Sequence, residues 1–379
     1  MLLVVITWLL APWIGFRRLI FRSKPVERIL LVQTAKIGDV VCATPVMNAV
    51  RAAYPAAFFA VLLSPGCVEI IKNNQKVDEI MVTPKGGFRG IVSKIRFIHK
   101  LYHRQFDLVI GLNPSLPLWL LPVMAGIGLN AAIFPPSMGR TLRLASFWIQ
   151  KHETHHVTQL QLETVRQLLS QLNIELDSFA KTLTSTPLGE QKAEALLSTA
   201  RGEVIGIGIA SANRLKELSV DFLIAVIGAL VKMGHSVVMI GSASDQAKAD
   251  EISRAMSDHL PQHIASLFSA CGLFTLDELY ALLTRLNCYI GVDSGITYCM
   301  DATDVPIVVI TGPTESAEQR PTQVPAIFLK PADLACCPCT FVYQTRSVCA
   351  NKETPYACIR QITVEKVLAS VCHLLAKKF

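Results

Sequence analysis

The sequence predicts an α/β fold made twice: two domains, each a parallel sheet covered by helices on both faces. Three observations carry this expectation. Strand-length apolar runs alternate with helical patterns through both halves of the chain, as parallel strands joined by helices require. With 379 residues and 51% apolar composition, the chain exceeds what one core usually holds, about 250 to 300 residues. Residues 29–53 read as strand, tight loop and helix with Gly38-Asp39 in the loop, which is the repeating unit of such sheets.

In that opening unit, residues 29–33 are a short run rich in branched side chains, and 34–37 form the turn. From 40 to 53 the apolar residues recur at helical spacing, with Pro45 near the first turn. Ligands of open α/β sheets gather at the carboxyl ends of strands, where a glycine admits close backbone approach. Asp39 stands at the mouth of the helix, where its charge is favoured and its carboxylate can face a cleft; the same place suits a plain capping residue. Residues 58–63 and 79–82 continue as strands, with a short helix at 67–73 between them. The stretch 85–104 carries Lys85, Arg89, Lys94, Arg96, Lys100 and Arg104 with no acid, interleaved with Ile91, Ile95, Phe97, Ile98 and Leu101. That is the pattern of an amphipathic basic helix.

A strand at 106–112, a buried helix plus strand within 116–133 and a helix at 158–172 complete the first half. Residues 182–190, with Pro187 and Gly189, are the expected linker. Beyond it, strands at 204–209, 236–240, 288–291 and 307–310 alternate with helices at 220–233, 245–256, 276–286 and 296–303. A ligand cleft between the two domains, lined by the carboxyl-end loops of both, is the natural expectation.

Charge is distributed unevenly over these halves. Residues 1–184 carry net +10 and residues 185–379 net −3, within a formal total of +7. An anionic partner, whether phosphorylated lipid, membrane surface or nucleic acid, would meet the first half; a solvated basic surface is the plainer reading. Residues 1–16 contain no charge and include Trp8 and Trp13, and Arg17, Arg18, Arg22 and Lys24 follow at once. A secretory signal puts its positive charge before the apolar run, and a full span needs roughly 20 residues. Residues 1–24 therefore read as a membrane-interface or re-entrant anchor, with a short true span as the alternative.

With the body of the protein expected in the cytoplasm, eleven cysteines do not describe a disulfide framework. Cys42, Cys67, Cys271, Cys288 and Cys299 lie in apolar segments and read as small core residues. Cys336, Cys337, Cys339, Cys349 and Cys358 fall within 23 residues but lack two paired C-x-x-C knuckles, so a packed, reduced cluster is favoured over a metal site.

The chain has no Walker loop and no Asp-x-Asp pair, and Gly206-x-Gly208 lacks the third glycine of a dinucleotide fingerprint. Developing phosphate charge would then be met by Lys, Arg and backbone donors at helix N-termini. Three loops are equipped for it: Ser211 to Lys216 with Arg214, Asp293-Ser294-Gly295 opening a helix, and Gly312-Pro313-Thr314. Ser294 and the Gly295 backbone could bind a diphosphate, and the same residues would serve as an N-cap.

Together, Gly38-Asp39-Val40 with Thr44-Pro45, Lys216, Asp293-Ser294-Gly295, Gly312-Pro313-Thr314 and the terminal Cys-rich stretch resemble the ADP-heptose:lipopolysaccharide heptosyltransferases of glycosyltransferase family 9, over about residues 28–370. The resemblance implies a GT-B fold, two Rossmann-like domains facing each other across a cleft, with acceptor on the first and sugar nucleotide on the second. It implies metal-independent, inverting transfer without a cofactor, and Asp39 as the base that deprotonates the acceptor hydroxyl. Lys216 would contact the donor phosphates and Asp293, Ser294 and Gly295 would form the diphosphate loop. Asp245 falls where an acid holds the ribose hydroxyls, and Phe274 where an apolar side chain packs on the base; Ser211 and Thr314 complete the donor set. Two positions depart from the family pattern: Tyr298 stands for a His, and Leu218-Ser219 for a Trp-Pro pair. They put the donor sugar in question, though a tyrosine hydroxyl can still donate to a phosphate or sugar oxygen.

The expected organisation is an anchor at 1–24, an acceptor domain at 25–183, a nucleotide-sugar domain at 184–360 and a C-terminal helix at 361–379. The expected partners are a nucleotide-sugar donor, a phosphorylated glycolipid acceptor gripped by the basic residues of 85–104, and a membrane surface, with no nucleic acid. The enzyme would act as a monomer on the cytoplasmic face of the inner membrane. A sugar-nucleotide epimerase or phosphorylase on the same fold and a degenerate, non-catalytic member are the alternatives.

Overall fold

The computed structural model describes residues 1–21 and 24–377, so Arg22 and the last two residues of the expected 361–379 helix lie outside the described residues. The chain divides into two compact units, Met1–Phe179 and Ala180–Phe379.

Unit 1 opens with helices α1 (Leu2–Leu9) and α2 (Ala11–Phe21). Its strands are β1 (Arg28–Gln33), β2 (Phe58–Leu63), β3 (Glu79–Val82), β4 (Leu108–Gly111), β5 (Leu129–Phe134) and β6 (Lys151–Thr154). They form one parallel sheet in the order β3-β2-β1-β4-β5-β6. The connecting helices are α3 (Ile37–Cys42), α4 (Thr44–Ala53), α5 (Val68–Ile71), α6 (Gly90–Arg104), α7 (Leu116–Met124), α8 (Arg140–Ser146) and α9 (Gln161–Ser170). After the first residue β1 and β2 are wholly buried, because helices cover both faces. Leu30, Val32 and Leu62 of the sheet pack with Phe97 and Leu101 of α6 and Leu121 of α7. Each such side chain contributes about 1.5 to 3 kcal/mol of transfer free energy.

No single helix among the described residues is long and apolar enough to cross a membrane; α1 and α2 meet at a bend of 59°. Val4, Thr7 and Ile14 are buried against unit 1, and the Trp8 ring stacks on Phe147 with centroids 4.8 Å apart. The Arg18 guanidinium donates to the Trp148 carbonyl at 2.6 Å, fixing the end of the pair to the α8 region.

Unit 2 starts with α10 (Pro187–Leu197), so the second half of the stretch expected as a linker is helical. Thr186 caps it by accepting the Gly189 N–H, and Pro187 sits at the first position, where a missing N–H costs nothing. The strands are β7 (Val204–Gly208), β8 (Ser236–Ile240), β9 (Leu267–Ser269), β10 (Cys288–Val292), β11 (Ile307–Ile310) and β12 (Ala326–Leu329), joined by α11 (Val220–Lys232), α12 (Gln246–His259), α13 (Leu276–Leu283) and α14 (Gly295–Met300). The sheet is again parallel, ordered β12-β11-β10-β7-β8-β9. After β12 come α15 (Ala357–Arg360) and α16 (Val364–Ala376). The last helix is no appendage, since Val367, Val371 and Leu374 sit in the same core as Ile290 and Ile310.

Gly206 and Gly208, the incomplete dinucleotide fingerprint, have a packing role. A Cβ on Gly206 would lie 3.2 Å from the Tyr289 ring, and one on Gly208 would strike its hydroxyl. Tyr289 of β10 is only 1% exposed, and the glycines make room for it across the β7–β10 pair.

Candidate active site

In each unit the two central strands are those where chain order reverses, β1 beside β4 and β7 beside β10. Helices leave such a pair toward opposite faces, so a crevice opens at its carboxyl ends. Asp39 lies at the first of these places, and Ser211, Lys216, Asp293, Ser294, Gly295 and Tyr298 at the second.

In unit 1 the loop after β1 is tied to its neighbours. Thr34 donates its N–H to Asn113 Oδ1 at 2.6 Å in the loop after β4, and Ser64 Oγ after β2 donates to the Thr34 carbonyl at 2.5 Å. Asp39 lies in the first turn of α3, half-buried, and its carboxylate accepts the Lys36 N–H at 3.1 Å. The capping role is therefore real, and the helix N-terminus favours its charge. That charge, after burial, helps push the nearby Cys67 thiol above its ordinary pKa.

The six basic residues of the expected acceptor site do not gather at this edge. Lys85 and Arg89 are exposed in the loop following β3, two strands or about 10 Å from β1. From there α6 runs back for 15 residues, about 22 Å, and Arg104 forms an ion pair with Glu79 at the start of β3. Lys94, Arg96 and Lys100 lie between those ends.

In unit 2 the loops after β7 and β10 meet. Lys216 Nζ forms an ion pair with the Asp293 carboxylate and donates to the Asp293 carbonyl at 3.2 Å. The Tyr298 hydroxyl donates to the other carboxylate oxygen of Asp293 and stands 3.3 Å from the Gln319 carbonyl. Asp293 is thus held from two sides, its charge compensated by Lys216 and its other oxygen bonded by Tyr298. An ammonium has three donors, and two are engaged here, leaving one for an anion. Asn213 shapes the Lys216 turn by accepting the Leu215 N–H at 3.1 Å, and Ser211 Oγ accepts the Asn213 N–H at 3.3 Å. Ser294 is the residue before α14, with Gly295 opening that helix.

The departure at Leu218-Ser219 is structural. Leu218 is 3% exposed in the core, and Ser219 caps α11 by accepting the Phe222 N–H at 3.3 Å. Asp245 also caps: its carboxylate accepts the Ser242 N–H at 2.8 Å and the Ser242 hydroxyl at 2.6 Å. The loop carrying it touches the loop carrying half-buried Phe274, where Gly272 donates to the Gly241 carbonyl at 3.4 Å. Thr314, after β11, has a buried hydroxyl oxygen with no hydrogen-bond partner among the described residues, and it is bridged to Thr340, whose side chain lies against Cys339. Buried hydroxyls are normally satisfied, so the Thr314 hydroxyl suits an incoming polar ligand.

Sequence reading missed the support beneath these loops. Lys181 and Asp301 form an ion pair whose side chains are 1% and 0% exposed, and Asp301 also accepts the N–H groups of Thr322, Gln323 and Val324. Asp301 directly follows α14. With the partners 120 positions apart in sequence, no local pattern marks the pair.

Cys336, Cys337, Cys339, Cys349 and Cys358 line one cavity of about 20 Å³ together with Leu215 and Pro313, so the Cys-rich segment buttresses two of the loops above. All are free thiols, and among the described residues no three His, Cys, Asp or Glu side chains are placed to hold a metal ion. Burial, then neighbouring thiols, pushes Cys337 and Cys358 up to about 11. A thiol with a raised folded-state pKa stabilises fully below its unfolded value and loses that contribution as pH rises through the folded one. Stability should therefore fall between about pH 9 and 11. Alkylation at pH 8 followed by mass spectrometry should mark exposed Cys372 first, the partly exposed cluster more slowly and the buried Cys288 only on unfolding; equal labelling would contradict the packing.

Comparison with known proteins matches this architecture. The profile of glycosyltransferase family 9 (heptosyltransferase) covers residues 94–348. Lipopolysaccharide heptosyltransferase 3 of Escherichia coli is 25% identical over 295 residues, 75% of this chain and 83% of its own. Among solved structures, a family 9 glycosyl transferase from Veillonella parvula superposes with a TM-score of 0.76 at 21% identity, covering 93% of this chain and 98% of its own. The E. coli ADP-heptose lps heptosyltransferase II gives 0.71 at 18%, covering 93% and 99%. The fold is that of these GT-B heptosyltransferases, and with two-thirds of its length matched by the profile the chain belongs to glycosyltransferase family 9 and is a glycosyltransferase.

Proposed function

We propose that the enzyme moves a heptose from ADP-heptose to the inner core of lipopolysaccharide or a related lipid-linked acceptor, with inversion and without a metal. The observation that carries this reading is the coincidence of Asp39 with the switch point of one sheet and of the Lys216–Asp293 pair with that of the other. Inverting displacement needs a base and a leaving group on opposite sides of the anomeric carbon, and the chain puts them on different units. Asp39 takes the proton of the acceptor hydroxyl as it attacks. Lys216, the Ser294 and Gly295 groups at α14 and the Thr314 hydroxyl receive the departing diphosphate, supplying positive charge and donors where negative charge develops. Asp245 and Phe274 hold the ribose and base, with Ser211 shaping the Lys216 turn. Tyr298 does its part through Asp293. Lys85 and Arg89 meet acidic groups of the acceptor. The enzyme works as a monomer on the cytoplasmic face of the inner membrane, where lipid-linked acceptors are presented. The donor assignment follows the name of a structural neighbour, an ADP-heptose transferase.

A thermal-shift panel of ADP, UDP, GDP and CMP tests the donor. ADP at about a hundred times its Kd should stabilise the protein by roughly 2.7 kcal/mol. Lys216→Ala should abolish most of that shift, read against the variant's own unliganded midpoint, which falls because the Asp293 carboxylate loses its cation. A larger response to UDP or GDP than to ADP would sink the assignment.

A further inference from the structure

Three elements of unit 1, far apart in sequence, hold large apolar side chains in solvent and touch one another. On α1 and α2 they include Leu9 and Leu19, 75% and 69% exposed. Phe147, just past α8, is 66% exposed although Trp8 of α1 stacks on it. On α6, Ile91 and Ile95 are 50% and 57% exposed, and at 100° per residue they share one stripe with Tyr102. The Arg17 guanidinium of α2 lies 5.4 Å from the Tyr102 ring centroid, so the stripe continues into the helix pair.

The charge carried by these elements has one sign. Residues 1–26, 80–106 and 108–152 contain no Asp or Glu, while Arg96 and Lys100 of α6 and Arg140 and Arg143 of α8 stand exposed. Exposed apolar groups on elements whose charged side chains are all cationic suit an anionic lipid surface. The helix pair is poorly suited to span. Val4, Thr7 and Ile14 face protein, leaving about half its circumference for lipid, whereas a span is apolar all round and roughly 20 residues long.

We propose that α1–α2, the Ile91–Ile95–Tyr102 stripe of α6 and the α8 end with Phe147 form one composite face that docks in the headgroup layer of an anionic bilayer, the helix pair lying in the interface. This deepens the membrane part of the function proposed above, and its test needs no sugar transfer. The full chain, purified in mild detergent, is floated with vesicles of phosphatidylcholine alone or with phosphatidylglycerol. It should float with the anionic vesicles and be released by high salt. With residues 1–21 intact, the pairs Leu144→Ser/Phe147→Ser and Ile91→Ser/Ile95→Ser should each weaken flotation about tenfold, with unchanged melting midpoints. Wild-type flotation of both variants would overturn the composite face in favour of a lone anchor. Carbonate-resistant insertion, or a change of oligomeric state with flotation intact, would overturn it too. Normal flotation with no transferase activity would count against the function alone.

Discussion

Asp39→Asn is expected to lower kcat by about 10²- to 10⁴-fold, the usual range for loss of a positioned general base. The amide keeps what the structure shows the carboxylate doing, since its oxygen can still accept the Lys36 N–H at the α3 N-terminus. What it loses is the ability to take a proton. The melting midpoint should therefore stay close to wild type while turnover collapses. Asp39→Ala separates the roles from the other side, because it removes cap and base together and should cost about 1 kcal/mol of stability besides activity. Transfer by folded Asp39→Asn at the wild-type rate would show that the carboxylate is a cap and nothing more. The base would then lie elsewhere on the carboxyl edge of unit 1.

The sheets were legible because parallel strands buried on both faces read as continuous apolar runs, and β1, β2, β7, β8, β10 and β11 all do. Sequence reading passed over β6, β9 and β12. These are edge strands of three or four residues, half-exposed and paired on one side only, too short to show a period. The helix α8 escaped for a related reason: its outward Leu144 and inward Ala145 follow no apolar stripe. At the site, residues adjacent to a strand end could be found from sequence, because the fold itself directs them to the crevice. The spread of the six basic residues could not, since composition reports that a helix is basic and not which edge of the sheet each residue reaches. Tyr298 illustrates a further limit. From sequence its hydroxyl can donate to a phosphate or sugar oxygen, yet it is spent on Asp293, a contact visible only once the loop is folded.

Removing one member of the Lys181–Asp301 pair is expected to cost about 3 to 5 kcal/mol, the range for breaking a buried ion pair and stranding its partner. The two deletions should differ. Lys181→Met leaves the Asp301 carboxylate with three backbone N–H donors, from Thr322, Gln323 and Val324. Asp301→Leu strands those donors as well as a buried ammonium, and should be the worse of the two. The double variant Lys181→Met/Asp301→Leu removes both charges and should recover part of the loss, with a coupling of about 1 to 3 kcal/mol in the cycle. Because Asp301 closes α14, whose first residues face the proposed diphosphate, Lys181→Met should also raise the donor KM more than it lowers kcat. Urea denaturation monitored on the lower-stability transition, with donor kinetics on the surviving folded enzyme, tests both parts. Additive effects of the single changes would mean that the ammonium and the carboxylate are held by their separate surroundings and not by each other, and an unchanged donor KM would detach the pair from the geometry of α14.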